Sequence, residues 1–238
     1  MSKILRVNLS ELKIKIEDLP NAFDGLGGRA LTSAIVSKEV PPRTDPLGPE
    51  NKLIFSAGIL AGTTAPNNSR LSVGAKSPLT HTIKEANSGG AVAQKLVRLG
   101  LQAVVIEGRA KDLTSLKIDK DGVRLIPATS YSNFGNYEAI EKIRKEFGDN
   151  IGVISIGPAG EWNLKAAAVA VTTPDFHIRV AARGGLGAVM GSKNLKAIMI
   201  DDAQSDQGEI KDKARFREAS IALSKSILCH PLIGFFKK

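Results

Sequence analysis

The residues of this chain best suited to chemistry are glycine pairs and arginines arranged for holding an anion. Gly89-Gly90 and Gly184-Gly185 stand at equivalent places in two passages of one plan: a hydrophobic strand ending in a glycine turn, a glycine pair opening a helix, then a second hydrophobic strand. The first passage runs from Lys52 through LIFSAGILAG to QAVVIEG, and the second from Ile151 through GVISIGPAG to KAIMIDD. Gly62 to Gly89 spans 27 positions and Gly160 to Gly184 spans 24. A helix start exposes unpaired N–H groups and the positive end of the peptide dipoles, and glycine lets a ligand approach the backbone. A glycine pair equally serves a tight turn or close packing. Arg70, Arg179 and Arg183 lie in turn or glycine-rich segments around these pairs, where a guanidinium can meet phosphate through paired hydrogen bonds.

Other chemistries find little support. Gly185, Gly187 and Gly191 are spaced one residue off the dinucleotide fingerprint, and Asp201 and Asp202 come too early to serve as its ribose acid. Gly191-Ser192-Lys193 lacks the adjacent Gly-Lys of a phosphate loop. His81, His177 and His230 are far apart, and Ser56, Ser77 and Ser155 have no neighbouring base in sequence. The single cysteine, Cys229, excludes a multi-thiolate metal or iron–sulfur site built by this chain alone.

Length and composition frame the elements that must position these groups. The chain has 238 residues, 42% hydrophobic and 24% charged, ordinary values for a globular protein with a substantial core. No run approaches the ~20 apolar residues that cross a bilayer, and no opening stretch reads as a signal peptide, so the expectation is a cytoplasmic protein without a membrane partner. The net charge of +9 fits a polyanionic cofactor or a solvated surface. With 5% aromatic residues and no aromatic interleaving among its lysines and arginines, the chain is not expected to bind nucleic acid.

Alternating ILRVNLS and LKIKIED predict a strand pair, and Gly27-Gly28 precede a helix with Leu31, Ala34 and Ile35 inward. Lys52 to Ala61 reads as one strand covered on both faces. After Gly89, Val92, Leu96 and Leu99 are expected inward, with Gln94, Lys95 and Arg98 facing out. Asp121-Gly122 predicts a hairpin turn after Thr114, and Gly148 a helix cap. Residues 203–212 read as a linker and 213–238 as the start of a helical domain, with an amphipathic helix from Lys213 to His230 and an apolar tip at Leu232, Ile233, Phe235 and Phe236.

The segments DPLGPENKLIFSAGILAGTTAPNNSRLSVGAKSPLT from Asp45, EANSGG from Glu85 and HIRVAARGGLGAVMGSKNLKAI from His177 resemble the N-terminal domain of the tungsten-containing aldehyde ferredoxin oxidoreductase family. The likeness runs from about residue 3 to 202, and the opening RVNLS and GGRAL share it. It implies an α+β fold in which duplicated strand/Gly-Gly/helix/strand units form a β-rich saddle, with residues 1–202 as a metallopterin-binding domain. It further implies a tungsten (or molybdenum) bis-pterin cofactor whose phosphates are bridged by magnesium. Asn87 and Val180 would bind that ion through backbone carbonyls. Arg70, Gly89, Gly90, Arg179, Ala181, Arg183, Gly184 and Gly185 would line the pterins or their phosphates. Asn68-Ser69, His81, Val180 and Ala182 depart from the smaller residues common at those places.

Family members continue into helical domains that carry a 4Fe-4S cluster and the acid/base residues, so the resemblance implies a C-terminal helix begun and cut short. The expectation is an N-terminal piece of an enzyme oxidising an aldehyde substrate with ferredoxin as acceptor, inactive alone. The alternative is a non-catalytic cofactor-binding or assembly subunit pairing with a separate helical iron–sulfur subunit. Either leaves homo-oligomerisation open.

Overall fold

The computed structural model describes residues 2–203, 205 and 210–234. Among them, twelve strands form two six-stranded sheets. The first half supplies β1 (Lys3–Asn8), β2 (Lys13–Asp18), α1 (Gly28–Glu39), β3 (Leu53–Ala57), β4 (Leu71–Lys76), β5 (Ile83–Ser88), α2 (Val92–Arg98) and β6 (Leu101–Glu107). The second supplies β7 (Thr114–Asp119), β8 (Gly122–Pro127), α3 (Asn136–Phe147), β9 (Gly152–Ser155), α4 (Pro158–Glu161), β10 (Val169–Thr172), β11 (Ile178–Ala181), α5 (Leu186–Ser192) and β12 (Leu195–Ile200). Beyond them lie α6 (Lys213–Cys229) and α7 (Pro231–Gly234).

The sheets have the same connectivity. Their orders are β2-β1-β6-β3-β4-β5 and β8-β7-β12-β9-β10-β11, in each case with one parallel pair, β1 with β6 and β7 with β12, and antiparallel pairing elsewhere. The shared connectivity begins at the opening hairpin of each half, upstream of the passages whose glycine spacing matches.

Leu5, Phe55 and Val73 of one sheet share a core with Ile154, Val171 and Ile198 of the other. The short helices α2 and α5 are buried in that same core through Val92, Leu96, Leu186 and Val189. On the outer faces, α1 covers the first sheet with Leu31 and Ile35, and α3 covers the second with Ile140 and Ile143. Being covered on both faces explains why β3, β4, β9, β10 and β12 are buried at every position.

Several local expectations change in three dimensions. The strand expected to reach Ala61 stops at Ala57, where the chain turns and leaves Ile59 and Leu60 exposed. Asp119 pairs with Gly122, so the hairpin turn is Lys120-Asp121, held by the Asp121 N–H on Asp119 Oδ1 at 3.0 Å. Lys95 is buried, because α2 lies inside the core and has no fully solvated side. Its ammonium binds Asp202 and the Asn150 carbonyl at 2.7 Å, while Arg98 reaches the same Asp202 at 2.9 Å. Burial pushes the Asp202 carboxyl up, and Lys95 and Arg98 more than offset this, holding it below the usual range. Phe235, Phe236 and much of the expected linker lie outside the described residues. Leu232 is exposed, and α6 buries none of its side chains.

Part of the positive charge is internal. Lys76, Lys95, Lys193 and Lys196 are all buried, each with backbone carbonyls or carboxylates as partners. Lys193, in the turn between α5 and β12, donates to the Asn51 carbonyl at 2.5 Å, with the Pro49 and Gly108 carbonyls at 3.4 Å, and so joins the two halves. Burial lowers its pKa from 10.5 to about 7, against the pull of Glu107 and with help from Lys52. The unfolded chain therefore holds this proton across a window in which the folded chain has released it. Unfolding free energy is expected to rise with pH from about 7 towards 10, with a slope of up to ~1.4 kcal/mol per pH unit from this group. Urea titrations at pH 7 and pH 9 check this; Lys193→Met should abolish the difference attributable to the site.

Candidate functional site

β5 is the last strand of the first sheet and β11 the last of the second, and these two edges meet. Beside their junction opens a cleft of about 760 Å³. Its lining comes from four places in sequence: Arg29 and Ser33 on α1, Arg70 before β4, Lys84, Glu85 and Asn87 on β5, and Val180, Ala182 and Arg183 on and after β11.

Four cations thus face one carboxylate. Glu85 is held by the Ser72 hydroxyl at 2.7 Å and meets Arg29 Nε at 3.3 Å, with its side chain only 8% exposed. Arg70, Lys84 and Arg183 make no ion pair or side-chain hydrogen bond among the described residues. Like charges in excess of the one carboxylate repel one another, and an anion entering the cleft converts that repulsion into attraction.

Of the residues expected from sequence, Arg70, Asn87, Val180 and Arg183 come together in this lining. Arg179 is exposed but does not line it. On a strand, neighbouring side chains point to opposite faces, so Arg179 leaves on the other side from Val180, towards Asp175. His177 is paired with Asp175 at 3.2 Å on the same exposed turn. Ala181 is fully buried, its side chain part of the shared core.

The glycines divide by use. A Cβ on Gly185 would lie 1.9 Å from the Lys165 carbonyl oxygen, and one on Gly184 would lie 2.2 Å from Lys84 Cγ. Both also have positive φ, +69° and +84°. This pair is filled by close packing, and the α5 start is buried with it: the Gly187 N–H already donates to Ala167 at 2.9 Å. Gly90 likewise backs onto Thr172, 2.6 Å from where its Cβ would be. Gly89 alone of the four has open space around it.

Arg29, Ser33, Lys84 and Glu85 join the site without having been singled out in the sequence. Arg29 directly follows Gly27-Gly28 and Glu85 opens EANSGG, so both stand inside segments that carry the resemblance. Nothing local marks them as neighbours, since they meet only when α1 lies beside β5. Among the described residues, no group of three or more His, Cys, Asp or Glu side chains could hold a metal ion. Nor is any helix there long and apolar enough to cross a membrane.

Residues 4–202 match the family described as aldehyde ferredoxin oxidoreductase, N-terminal domain. The chain belongs to this family. A tungsten-containing aldehyde ferredoxin oxidoreductase of Pyrococcus furiosus is 43% identical over 90% of the chain, and its namesake from Pyrococcus horikoshii 42% over 98%. An aliphatic sulfonate oxidoreductase, WOR-like subunit, of Pyrococcus furiosus is 32% identical over 90% of the chain. Among solved structures, a chain of the active site complex BamBC of benzoyl coenzyme A reductase with 1,5-dienoyl-CoA superimposes with a TM-score of 0.89. It is 30% identical, and the match covers 95% of this chain and 34% of that one. The chain spans 35% and 38% of the two aldehyde ferredoxin oxidoreductases it matches first. The cleft thus lies within the segment that this family defines.

Proposed function

We propose that the cleft between β5 and β11 receives the phosphates of a tungsten–pterin cofactor, and that residues 1–202 form the base on which this cofactor rests. The observation that carries the reading is the gathering of Arg70, Lys84 and Arg183, which make no ion pair among the described residues, where two sheet edges meet. The tungsten named in the relatives supports the identity of the guest. The like connectivity of the two sheets supports a duplicated, saddle-like base whose halves each face one pterin. Residues 203–212 then serve as a linker to a helical part starting at 213.

The residues fit such a guest. Edge strands carry outward backbone groups that no further strand takes up, so β5 and β11 can offer carbonyls at Asn87 and Val180 to a magnesium ion between two phosphates. The Val180 side chain is 49% exposed, and a carbonyl ligand does not depend on it. Open space at Gly89 permits close approach to the backbone. Arg70 and Arg183 hold and orient the phosphates, and Glu85 keeps Arg29 at the rim. The bound metal–pterin group would supply the two-electron oxidation of an aldehyde to a carboxylic acid, with electrons leaving through a 4Fe-4S cluster to ferredoxin. Cys229 is this chain's single cysteine, so the thiolates of such a cluster come from elsewhere in the whole protein. The relative named as a subunit favours a second reading, in which this chain pairs with a separate cluster-bearing chain.

Metal analysis with pterin fluorescence on the purified chain tests the first reading. About one tungsten per two pterins, constant across preparations, supports it, and the absence of both with and without a cluster-bearing partner would sink it. Inorganic pyrophosphate provides a cofactor-free probe. Arg70→Gln and Arg183→Gln are each expected to weaken its binding roughly tenfold or more, since a hydrogen bond to a charged group contributes ~1.5–3 kcal/mol. Calorimetry reads the change; unaltered affinity in both variants would exclude the cleft as the anion site.

A further inference from the structure

We infer that Ser77, a buried residue of the first half, is the positioning residue that aims Arg183 of the second half into the cleft. The inference rests on the anion-binding reading of that cleft. Ser77 is fully buried in the turn between β4 and β5, and its hydroxyl donates to the Gly184 carbonyl at 2.8 Å. The same oxygen accepts the N–H groups of Leu79 at 3.1 Å and Thr80 at 3.2 Å, so its proton is committed to Gly184. The turn is rigid at its base, where the Ser77 N–H meets the Thr82 carbonyl at 3.0 Å and the His81 N–H meets the Ser77 carbonyl at 2.9 Å.

Two further contacts come from this hairpin. The Lys84 stem lies where a Gly184 side chain would be, and the Pro78 ring is 2.9 Å from the position of a Gly185 Cβ. The residue after Arg183 is thus gripped by a hydroxyl and a side-chain stem from across the junction, while Arg183 makes no ion pair of its own. Its backbone is fixed by the other half of the molecule, which limits the directions its guanidinium can take. A guanidinium oriented before the ligand arrives loses less freedom on binding.

A double-mutant cycle on the full chain separates positioning from general support, with inorganic pyrophosphate as the probe and folding monitored by circular dichroism. Ser77→Ala is expected to raise the dissociation constant roughly fivefold in the otherwise unchanged chain and less than about twofold in an Arg183→Gln background. An equal loss in both backgrounds, or no loss in either, overturns the inference while leaving the anion site standing. If the unsubstituted chain fails to bind pyrophosphate, the anion reading and this inference fall together. Should Ser77→Ala not fold, Ser77→Cys, close in shape with a weaker donor, takes its place in the cycle under the same criteria.

Discussion

Gly191→Ala is expected to prevent folding, whereas Gly89→Ala should fold like the parent chain. A Cβ on Gly191 would stand 1.8 Å from the Gly160 carbonyl oxygen and 2.6 Å from its carbon. Both are backbone atoms, so relief requires α4 and α5 to move apart. Helix α5 cannot move cheaply, because every residue from Leu186 to Ser192 is buried and a Cβ on Gly187 would lie only 2.4 Å from the Ala168 carbonyl oxygen. Overpacking of this severity exceeds ~4 kcal/mol, a large share of the ~5–15 kcal/mol that holds a domain together. At Gly89 no atom lies within 4 Å of an added Cβ, and the change should stay within ~0.5 kcal/mol. Thermal melts of the two variants decide the matter, and a Gly191→Ala melt close to the parent would refute the packing argument. Pyrophosphate affinity of Gly89→Ala then reports whether a ligand needs that open backbone.

Glu161→Ala should cost about 3–5 kcal/mol, more than Lys196→Met. Lys196 is fully buried, its ammonium 2.5 Å from Glu161 Oε1 and 3.0 Å from the Phe134 carbonyl. Removing the carboxylate leaves that charge uncompensated, the costly way to break a buried pair. It also strips a partner from the Asn133 N–H at 2.9 Å and the Ser132 hydroxyl at 3.3 Å. Lys196→Met removes the charge and keeps the apolar stem, leaving a carboxylate that these two donors still satisfy in part. Denaturation midpoints for both variants test the order; a larger loss in Lys196→Met would reverse the assignment of which charge depends on which. The pair binds β12 to the α4 segment, and α4 in turn packs on the α5 start that follows Arg183.

Much of the architecture was open to local reading because its signals are local. Alternation placed β1 and β2, the Gly148 cap ended α3 with φ +95°, and continuous apolar runs marked β6 and β12. The strands that build the cleft escaped. β5 and β11 are edge strands with mixed, partly exposed side chains, and neither an unbroken apolar run nor a clean alternation distinguishes IKEANS or IRVA. Lys95 was misplaced for a related reason: helical periodicity assumes a solvated side, and a helix between two sheets has none.

The sequence by itself determined the strand and helix inventory of the well-patterned segments, the choice of Arg70 and Arg183, which both reach the cleft lining, and membership in the family matched over residues 4–202. Only the tertiary structure decided that β5 and β11 meet, that Arg29, Lys84 and Glu85 join the cleft while Arg179 leaves it, and that most of the paired glycines serve packing, with Gly89 left open. The physical reason is range. Local spacing dictates which face of an element a residue occupies, whereas the meeting of Ser77 with Gly184, 107 positions apart, depends on how two separately formed sheets bury their shared core.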